Sequence, residues 1–474
     1  MKILFIIPPF GVRNIHGKIK VKIGFLPLIG IASLATVLKK GGYNVKVLDL
    51  QLYNYGLKEL IDYVKDYSPD IIGFPLLTPL VPYVFELVKE IKRQFPVKVV
   101  LGGPHATILP EDTLGESGAD YVVVGEGEYT LLDLVKELDK GQEPTRVKGL
   151  WYRDREKAVF TGKRELIRNL DELPIPSREF YEVKRYVPYP NQYRRLPTTS
   201  MVTSRGCLYG KCAFCLESVL SGHVYRRMSV AQAIEEIRYL QRDYGIREIT
   251  FYDDEFVMER NWVEEFCDAL KKEKIDIKWS CYARANMVTR PLLKKMASAG
   301  CWNIFYGLES GNQELLNIIK KGQKLQHMRD AIKWTREAGI EARGSFIFGL
   351  PGEIPEMALE TIRFALSLDL DYGVFNLCTP YPGTILYEMC REYGNFSANS
   401  YDEYTCMKPI FLPVGYKNRE QLLKMQKFGY RKFYFRLGYI LKSIKRINSW
   451  SELKGHFKGL LFLIKMRALK NRGV

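Results

Sequence analysis

The sequence predicts an α/β protein of two units, a doubly wound Rossmann-like domain followed by a partial (β/α)6 TIM-like barrel, with a basic helical extension at the C-terminal end. Three observations predict this arrangement. Short apolar runs alternate with amphipathic stretches over residues 1–140, the alternation stops over 141–196, and it resumes for six further units within 197–400. Residues 401–474 then become strongly basic.

The first unit contains five short apolar runs with the length and composition of buried parallel strands. The candidate strands are Ile3–Ile7, Val45–Leu48, Asp70–Phe74, Val97–Leu101 and Asp120–Val124. Turn residues follow these strands, and in doubly wound folds ligands bind at the carboxyl ends of the strands. The predicted binding turns are Pro8-Pro9, Thr78-Pro79, Gly102-Gly103-Pro104 and Gly125-Glu126-Gly127.

Residues 141–196 contain no long periodic segment, and the prolines of Leu170–Pro176 bias their neighbours away from helix, so this stretch is predicted to be a linker. The second unit follows it, and Ser229 is the expected N-cap of a helix that runs to Tyr244. The six candidate strands lie near Ser200–Ser204, Glu248–Tyr252, Lys278–Tyr282, Asn303–Tyr306, Ala342–Phe348 and Tyr372–Leu377. Six consecutive parallel units predict a barrel-like fold.

Composition excludes several classes of protein. Of the 474 residues, 46% are hydrophobic and 26% are charged, which argues against a disordered chain. The longest apolar stretch, Phe25 to Leu38, is interrupted by Pro27 and Gly30 and is shorter than the roughly 20 residues that span a bilayer. Because the nine cysteines are odd in number and no export signal is recognisable, we expect a cytoplasmic protein whose clustered cysteines bind metal.

The net charge of +17 is concentrated at the C-terminal end. From Tyr416 onward 16 Lys and Arg stand against two acidic residues, a net +14, whereas the preceding part is almost neutral. This distribution argues against nucleic acid as a partner and places any anionic partner at the tail. Two stripes with helical spacing, Leu437–Ile444 and Phe457–Ile464, favour equally a peripheral membrane contact and helices packed across the barrel mouth.

Three of the nine cysteines, Cys207, Cys212 and Cys215, lie within nine residues, directly after the first strand of the second unit. Thiolates are soft ligands that select zinc or iron–sulfur clusters. No fourth cysteine or paired histidine stands nearby, so three ligands leave one metal position open for a reactant. A zinc site completed by a distant residue remains the alternative.

At these residues the sequence resembles the radical S-adenosylmethionine (SAM) superfamily, whose cysteine trio follows the first barrel strand. The resemblance implies a [4Fe–4S] cluster held by the three cysteines, SAM as a second cofactor, and an external electron donor. Phe214, the aromatic residue before the last cysteine, would then lie near the adenine of SAM. Four residues separate Cys207 from Cys212 where the family has three, and we interpret this as an insertion that Gly210 tolerates.

The resemblance also assigns roles to residues at the ends of the later barrel strands, where barrel enzymes place their reacting groups. Glu309 and Ser310 match a segment that contacts the ribose of SAM, and Asp253 and Arg284 match positions that face its methionine portion. A carboxylate that accepts ribose hydroxyls and a guanidinium that pairs with a carboxylate fit these roles chemically.

The first unit resembles the cobalamin-binding domain that is fused to many radical SAM enzymes. Its glycines would let the backbone approach a large planar macrocycle. The resemblance implies cobalamin contacts from Pro9, Thr78, Gly102, Gly103, His105, Gly125, Glu126 and Gly127. His16 is not expected to bind cobalt, because its surroundings lack the aspartate and the glycine of the family's histidine motif.

The resemblance implies that the reduced cluster cleaves SAM to a 5′-deoxyadenosyl radical and that cobalamin delivers a methyl group to an unactivated carbon of a small-molecule or lipid-like substrate. Radical cyclisation, oxidation or rearrangement without methyl transfer is an alternative. An RNA-modifying radical SAM enzyme is a second, although such proteins carry another cysteine trio in the first domain and here no cysteine precedes Cys207. A non-catalytic metal- or cobalamin-binding module is a third.

Overall fold

The structure is a computed structural model that describes residues 1–11, 16, 24–155 and 157–440. The first unit is built on a sheet with strand order β2-β1-β3-β4-β5-β6-β7, in which β1 to β5 are parallel and β6 and β7 are antiparallel. The strands are β1 (Lys2–Ile7), β2 (Asn44–Asp49), β3 (Ile71–Pro75), β4 (Lys98–Gly102), β5 (Tyr121–Val123), β6 (Leu150–Asp154) and β7 (Lys157–Phe160).

Helices cover both faces of this sheet, and each face has its own apolar core. Strands covered on both faces are apolar along their whole length, which is why β1 reads as an uninterrupted hydrophobic run after Lys2. The helices are α1 (Ile29–Lys40), α2 (Leu50–Tyr53), α3 (Leu57–Tyr67), α4 (Val81–Gln94), α5 (Pro104–Ile108), α6 (Pro110–Ser117) and α7 (Gly127–Asp139). The fold is doubly wound, as predicted.

The two antiparallel strands β6 and β7 correct the predicted linker, because they lie within residues 141–196 and extend the first sheet at its edge. The sequence signal for them is weak. Strand β7 has four residues, three of them exposed, so it carries no alternation of apolar and polar side chains. The remainder of the stretch, up to Pro197, is mostly irregular with short 3-10 turns.

The second unit is a six-stranded parallel sheet with the order β15-β14-β13-β12-β11-β8, and a short antiparallel pair stands beside it. The strands of the unit are β8 (Thr198–Met201), β9 (Ser204–Arg205), β10 (Arg226–Arg227), β11 (Glu248–Phe251), β12 (Lys278–Ala283), β13 (Cys301–Glu309), β14 (Glu341–Phe348) and β15 (Tyr372–Leu377). The six parallel strands are those expected from the sequence. They confirm a partial barrel.

Helices connect successive strands of this barrel. Ser229 is the N-cap of the first long one, and its side chain accepts a hydrogen bond from the backbone N–H of Gln232, as the sequence predicted. The helices are α8 (Glu217–Leu220), α9 (Val230–Tyr244), α10 (Arg260–Lys272), α11 (Arg290–Ser298), α12 (Gln313–Ile318), α13 (Leu325–Glu337) and α14 (Pro355–Ser367).

The C-terminal part begins with α15 (Ile385–Tyr393) and the antiparallel pair β16 (Gly394–Phe396) and β17 (Phe411–Pro413), followed by α16 (Arg419–Tyr434). Helix α16 packs against β15, the edge strand of the barrel. Gln426 Nε2 donates to the carbonyl of Phe375, and Tyr434 Oη donates to the carbonyl of Gly373 and accepts from its N–H. These side chains replace a neighbouring strand.

The two basic stripes predicted for the tail fall largely outside the described residues, which end at Ile440. Of the first stripe, Leu437 and Ile440 are described, and both are exposed. Within the described ranges, no helix combines the length and the apolar character needed to cross a membrane.

Candidate cofactor site

The cysteine loop starts and ends in the antiparallel pair β9 and β10, so its two ends are held together at its base. Gly206 stands at the start of the loop with a φ of +91°, and a Cβ atom placed on it would lie 2.0 Å from the carbonyl oxygen of Val224. Only glycine fits this position. Gly210 also has a positive φ, as the insertion between the first two cysteines required, and packs against the His223 ring.

The three cysteines differ in burial: Cys212 is buried, while Cys207 and Cys215 are half-buried. Arg284 Nη1 lies 3.4 Å from Cys212 Sγ, so a guanidinium faces the sulfur that would carry the charge of a thiolate. Among the described residues, no three His, Cys, Asp or Glu side chains converge on the position of a single metal ion. An iron–sulfur cluster has a different requirement, because each thiolate binds its own iron.

Lys321 links three of the residues predicted to contact SAM. Its Nζ is 2.7 Å from Glu309 Oε1 and 5.5 Å from the centre of the Phe214 ring, and its carbonyl accepts a hydrogen bond from Arg284. Arg284 also stacks on Tyr209, 4.0 Å from the ring centre. Arg284, Glu309 and Phe214 therefore share one neighbourhood beside the cysteine loop.

Lys321 was not predicted as a site residue. The feature of the sequence that could have pointed to it is the glycine that follows: Gly322 has a positive φ, and a Cβ there would lie 2.2 Å from Tyr209 Oη. Lysine is rarely buried unless it is paired. Lys321 is buried and forms an ion pair with Glu309 beside the cysteine loop.

The side chains of Asp253 and Ser310 are bound to other partners. Asp253 Oδ1 accepts hydrogen bonds from the backbone N–H and the hydroxyl of Thr203 and from the hydroxyl of Ser204. The reason is strand order: β11 is the neighbour of β8, so the end of β11 meets the residues that follow β8. Ser310 is buried, and its hydroxyl lies 3.1 Å from that of Thr361 on α14.

A cavity of about 530 Å³ lies between the two units, at the carboxyl ends of both parallel sheets. One wall is formed by the turns of the first unit and the other by the start of the cysteine loop and the end of β11. Five predicted cobalamin contacts line it, namely Gly102, Gly103, Gly125, Glu126 and Gly127. Gly125 has a φ of +76° and open space where a side chain would stand, so the backbone itself is exposed to the cavity.

The other three predicted cobalamin contacts lie behind this wall: Pro9, Thr78 and His105 are buried and do not line the cavity. His105 Nδ1 lies 3.2 Å from the Thr78 hydroxyl, and the ring meets Tyr401 of the C-terminal part edge-on at 4.8 Å. Burial lowers the pKa of His105 to about 4, so the ring is neutral at pH 7.

Ion pairs between residues that line the cavity join the two units. Arg205 Nη1 lies 2.9 Å from Glu126 Oε1 and its Nη2 lies 2.5 Å from Glu128 Oε1, while Arg226 Nη1 lies 2.7 Å from Glu126 Oε1. Ser33 donates a further hydrogen bond to Glu128. Glu126, predicted as a cobalamin contact, therefore also binds the first unit to the base of the cysteine loop.

Three further carboxyl groups line the cavity, on Glu217, Asp254 and Glu236, the last of which pairs with Arg178. Burial, reinforced by the neighbouring charges of Glu217 and Asp253, raises the pKa of Asp254 to about 7. Burial likewise raises the pKa of Glu217. A carboxyl group with a pKa near neutrality can either donate or accept a proton at pH 7. Neither Asp254 nor Glu217 was predicted to contact a cofactor, because acidic residues such as Asp254 are common in the turns after strands and Glu217 merely begins the short helix α8.

Comparisons with known proteins agree with this geometry. The family model of the B12 binding domain matches residues 23–135, and that of the Radical SAM superfamily matches residues 201–365. An uncharacterized methyltransferase of Pyrococcus horikoshii is 34% identical over 464 residues, which is 97% of this chain and 98% of the relative. This chain belongs to the cobalamin-binding radical SAM family.

Other relatives show how far the family extends. The anaerobic magnesium-protoporphyrin IX monomethyl ester cyclase of Cereibacter sphaeroides is 30% identical over 447 residues, covering 92% of this radical SAM chain and 71% of the cyclase. Among solved structures, the radical SAM methyltransferase TsrM of Kitasatospora setae matches 92% of this chain and 86% of its own with a TM-score of 0.69 at 22% identity. TsrM thus shares the fold of this chain.

As a member of this family the chain is an enzyme, and its cofactors are a [4Fe–4S] cluster, SAM and cobalamin. The residues present fit these groups. The cysteine loop offers three thiols beside a guanidinium, and the cavity offers exposed glycine backbone between the two units.

Proposed function

We propose that this radical SAM enzyme methylates an unactivated carbon of a small-molecule or lipid-like substrate, with cobalamin as the methyl carrier. The observation that carries the proposal is the shared cavity, which brings the glycine turns of the first unit and the base of the cysteine loop to one space. Methyl transfer requires the cobalamin side and the SAM side to reach the same substrate. Curated relatives named methyltransferases support this proposal.

In this proposal Cys207, Cys212 and Cys215 hold the cluster, while SAM lies beside Arg284, Glu309 and Phe214. The corrin ring lies against the turns at Gly102, Gly103, Gly125, Glu126 and Gly127. When bound, the cluster supplies the electron that cleaves SAM, and cobalamin supplies the methyl group. An external electron donor must reduce the cluster.

The protein's own residues orient and shield these groups. Arg284 donates to Cys212 Sγ and is itself fixed by Glu255, which accepts a hydrogen bond from its backbone N–H at 2.6 Å. Glu128 and Arg205 hold the first unit, which would bind cobalamin, against the base of the cysteine loop, which would bind the cluster. Asp254 lies on the cavity wall with a pKa near 7 and is the group placed to exchange a proton with a bound substrate.

The test uses the full-length protein, purified anaerobically and reconstituted with cluster and cobalamin. It is incubated with a reductant, methyl-labelled SAM and a deproteinised small-molecule extract of the source cells. The proposal predicts S-adenosylhomocysteine, 5′-deoxyadenosine and a labelled small molecule. Formation of 5′-deoxyadenosine without S-adenosylhomocysteine or label would contradict methyl transfer and favour oxidation, rearrangement or cyclisation, the last being the activity named for the Cereibacter sphaeroides relative.

Two cysteine variants serve as a matched pair in that experiment. Cys212→Ala removes a proposed ligand, and we expect it to lose iron, sulfide and 5′-deoxyadenosine formation. Cys267→Ala removes another buried cysteine, on α10 and outside the cysteine loop, and should keep all three. Retention of the cluster in Cys212→Ala would show that the ligand set is wrong.

A further inference from the structure

A row of three aromatic side chains, called here the aromatic lane, runs from the cavity into the interior of the barrel and consists of Tyr252, Tyr282 and Phe305. Tyr252, which lines the cavity and is 47% exposed, stacks on Tyr282 at 5.7 Å. Tyr282 meets Phe305 edge-on at 5.3 Å. The pairing of β12 with β13 places Tyr282 directly opposite Phe305, so these rings line one side of the sheet in a row.

Arg343 stands at the end of this lane. It is paired with Phe305 across β13 and β14 and with Tyr372 across β14 and β15. Its guanidinium carbon lies 5.3 Å from the centre of the Phe305 ring and 5.7 Å from that of Tyr372. Alternate residues of β15, beginning with Tyr372, are only half-buried, which shows that this face of the sheet is accessible from the barrel interior.

The charge of Arg343 is not neutralised within the described part of the chain, where the side chain has neither a hydrogen bond nor an ion pair. Its Nε is buried without a hydrogen-bond partner. Glu341, the one acidic residue of β14, forms an ion pair with Arg194 instead. A guanidinium held in place by two aromatic rings and lacking an anion is suited to a planar oxyanion, which it can bind with two parallel hydrogen bonds.

We propose that the substrate is an aromatic or otherwise flat molecule with a carboxylate or phosphate group, and that Arg343 binds this anion inside the barrel while the rest of the molecule lies along Tyr282 and Tyr252 toward the cavity. The proposal rests on the proposed function only in calling the ligand the substrate. The aromatic rings contact the flat part of such a molecule, and the guanidinium binds its anionic group.

The carboxylate of SAM is a different anion, and its proposed place is elsewhere. Arg284 contacts Cys212 and follows β12, whereas Arg343 is opposite Phe305, which is opposite Tyr282 within β12. Tyr282 lies within β12, two residues before Arg284, which follows the end of the strand, so Arg343 lies one step further from the cysteine loop and deeper in the barrel.

The test measures binding to the reconstituted holoenzyme by equilibrium dialysis, with 2-naphthoate, 2-naphthyl phosphate and the neutral 2-naphthamide as probes. We expect at least one of the two anions to bind about tenfold or more tightly than the amide, and the better anion identifies the group. Arg343→Gln should abolish this preference, and Arg343→Lys should retain only part of it, because an ammonium lacks the planar fork. Equal binding of anions and amide to the wild type would overturn the proposal without any variant.

Arg363→Gln is the matched control, since it removes an exposed arginine from the outer surface of α14 and should leave all three affinities unchanged. Retention of the preference in Arg343→Gln would assign the arginine to packing alone and overturn the proposal. A rise in the Kd of SAM in Arg343→Gln equal to the loss of anion binding would assign the arginine to the cofactor and also overturn it. None of these outcomes depends on methyl transfer.

Discussion

At the residue scale, the cysteine loop depends on backbone that side chains would block. The sequence pointed to Gly210 because of the extra residue between Cys207 and Cys212, and its positive φ agrees. Gly206 carried no comparable signal. Glycine is required at this position because the carbonyl oxygen of Val224, eighteen residues later, occupies the space that a Cβ atom would need.

Gly206→Ala should therefore disrupt the cysteine loop. A positive φ alone costs about 1–2 kcal/mol for an alanine, and the 2.0 Å overlap with a backbone oxygen forces a further shift. We expect a lower iron content after reconstitution and a loss of stability about 1–3 kcal/mol greater than in Gly222→Ala. Gly222 is the control because it also has a positive φ but has nothing within 4 Å of its Cβ position. Equal iron content in the two variants would contradict the assignment.

A second residue-scale prediction concerns Glu353, which is fully buried and accepts hydrogen bonds from the Gly349 N–H and the Tyr416 hydroxyl. Burial raises its pKa from 4.5 to about 7. Between these values the folded protein keeps a proton that the unfolded chain has released, so rising pH lowers the free energy of unfolding, by on the order of 3 kcal/mol in total.

Glu353→Gln is neutral at every pH and should lack this loss. The midpoint of urea unfolding should fall less between pH 5 and pH 8 in the variant than in the wild type, and at pH 8 the variant should be the more stable of the two. Glu356→Gln, the same change at an exposed position of α14, should keep the wild-type pH dependence. Parallel pH curves for wild type and Glu353→Gln would refute the prediction.

At the element scale, the parallel strands of both units were predicted to within three residues at their ends, since most contain an apolar run with turn residues after it. Strands β6 and β7 were missed because β6 has only three apolar residues before Arg153 and β7 is a largely exposed edge strand. Helix α16 was expected only as part of a basic extension, and its position against β15 depends on Tyr and Gln side chains that meet a strand more than 50 residues earlier.

Tyr434→Phe tests that contact. The hydroxyl satisfies both the N–H and the carbonyl of Gly373, which is buried, so its removal should lower the free energy of unfolding by about 1–3 kcal/mol and speed hydrogen exchange of the Gly373 amide. Tyr63→Phe removes a hydroxyl from the half-buried face of α3 and should change stability by less than about 0.5 kcal/mol. Unchanged exchange at Gly373 in Tyr434→Phe would disprove the role of the helix.

At the scale of the whole molecule, the two units share an apolar core and are joined by ion pairs. Glu128 is buried and pairs with Arg205, and although burial by itself would raise the pKa of Glu128, the guanidinium lowers it. Breaking a buried pair leaves an uncompensated charge and costs about 3–5 kcal/mol. The cavity between the units should depend on this contact.

Glu128→Gln should therefore weaken the association of the units and reduce the cobalt retained after gel filtration, while iron retention changes less because the three cysteines lie on the second unit alone. Absorbance and metal analysis of the reconstituted protein measure both. Glu137→Gln, which removes a surface ion pair with Lys140 from the same helix, should retain cobalt fully. Equal cobalt retention in the two variants would show that the ion pairs do not maintain the cavity.

The sequence by itself determined the two parallel sheets, the order of the units, the cysteine trio and the glycine turns, because apolar runs, thiols and glycines carry their physical meaning locally. The tertiary structure decided which side chains from distant parts of the chain contact one another. Four features of the site depend on strand order or on the packing of the units. They are the Arg205–Glu128 pair, the position of His105 behind the cavity wall, Lys321 beside Glu309, and Arg343 at the end of the aromatic lane. No periodicity in the sequence predicts such contacts.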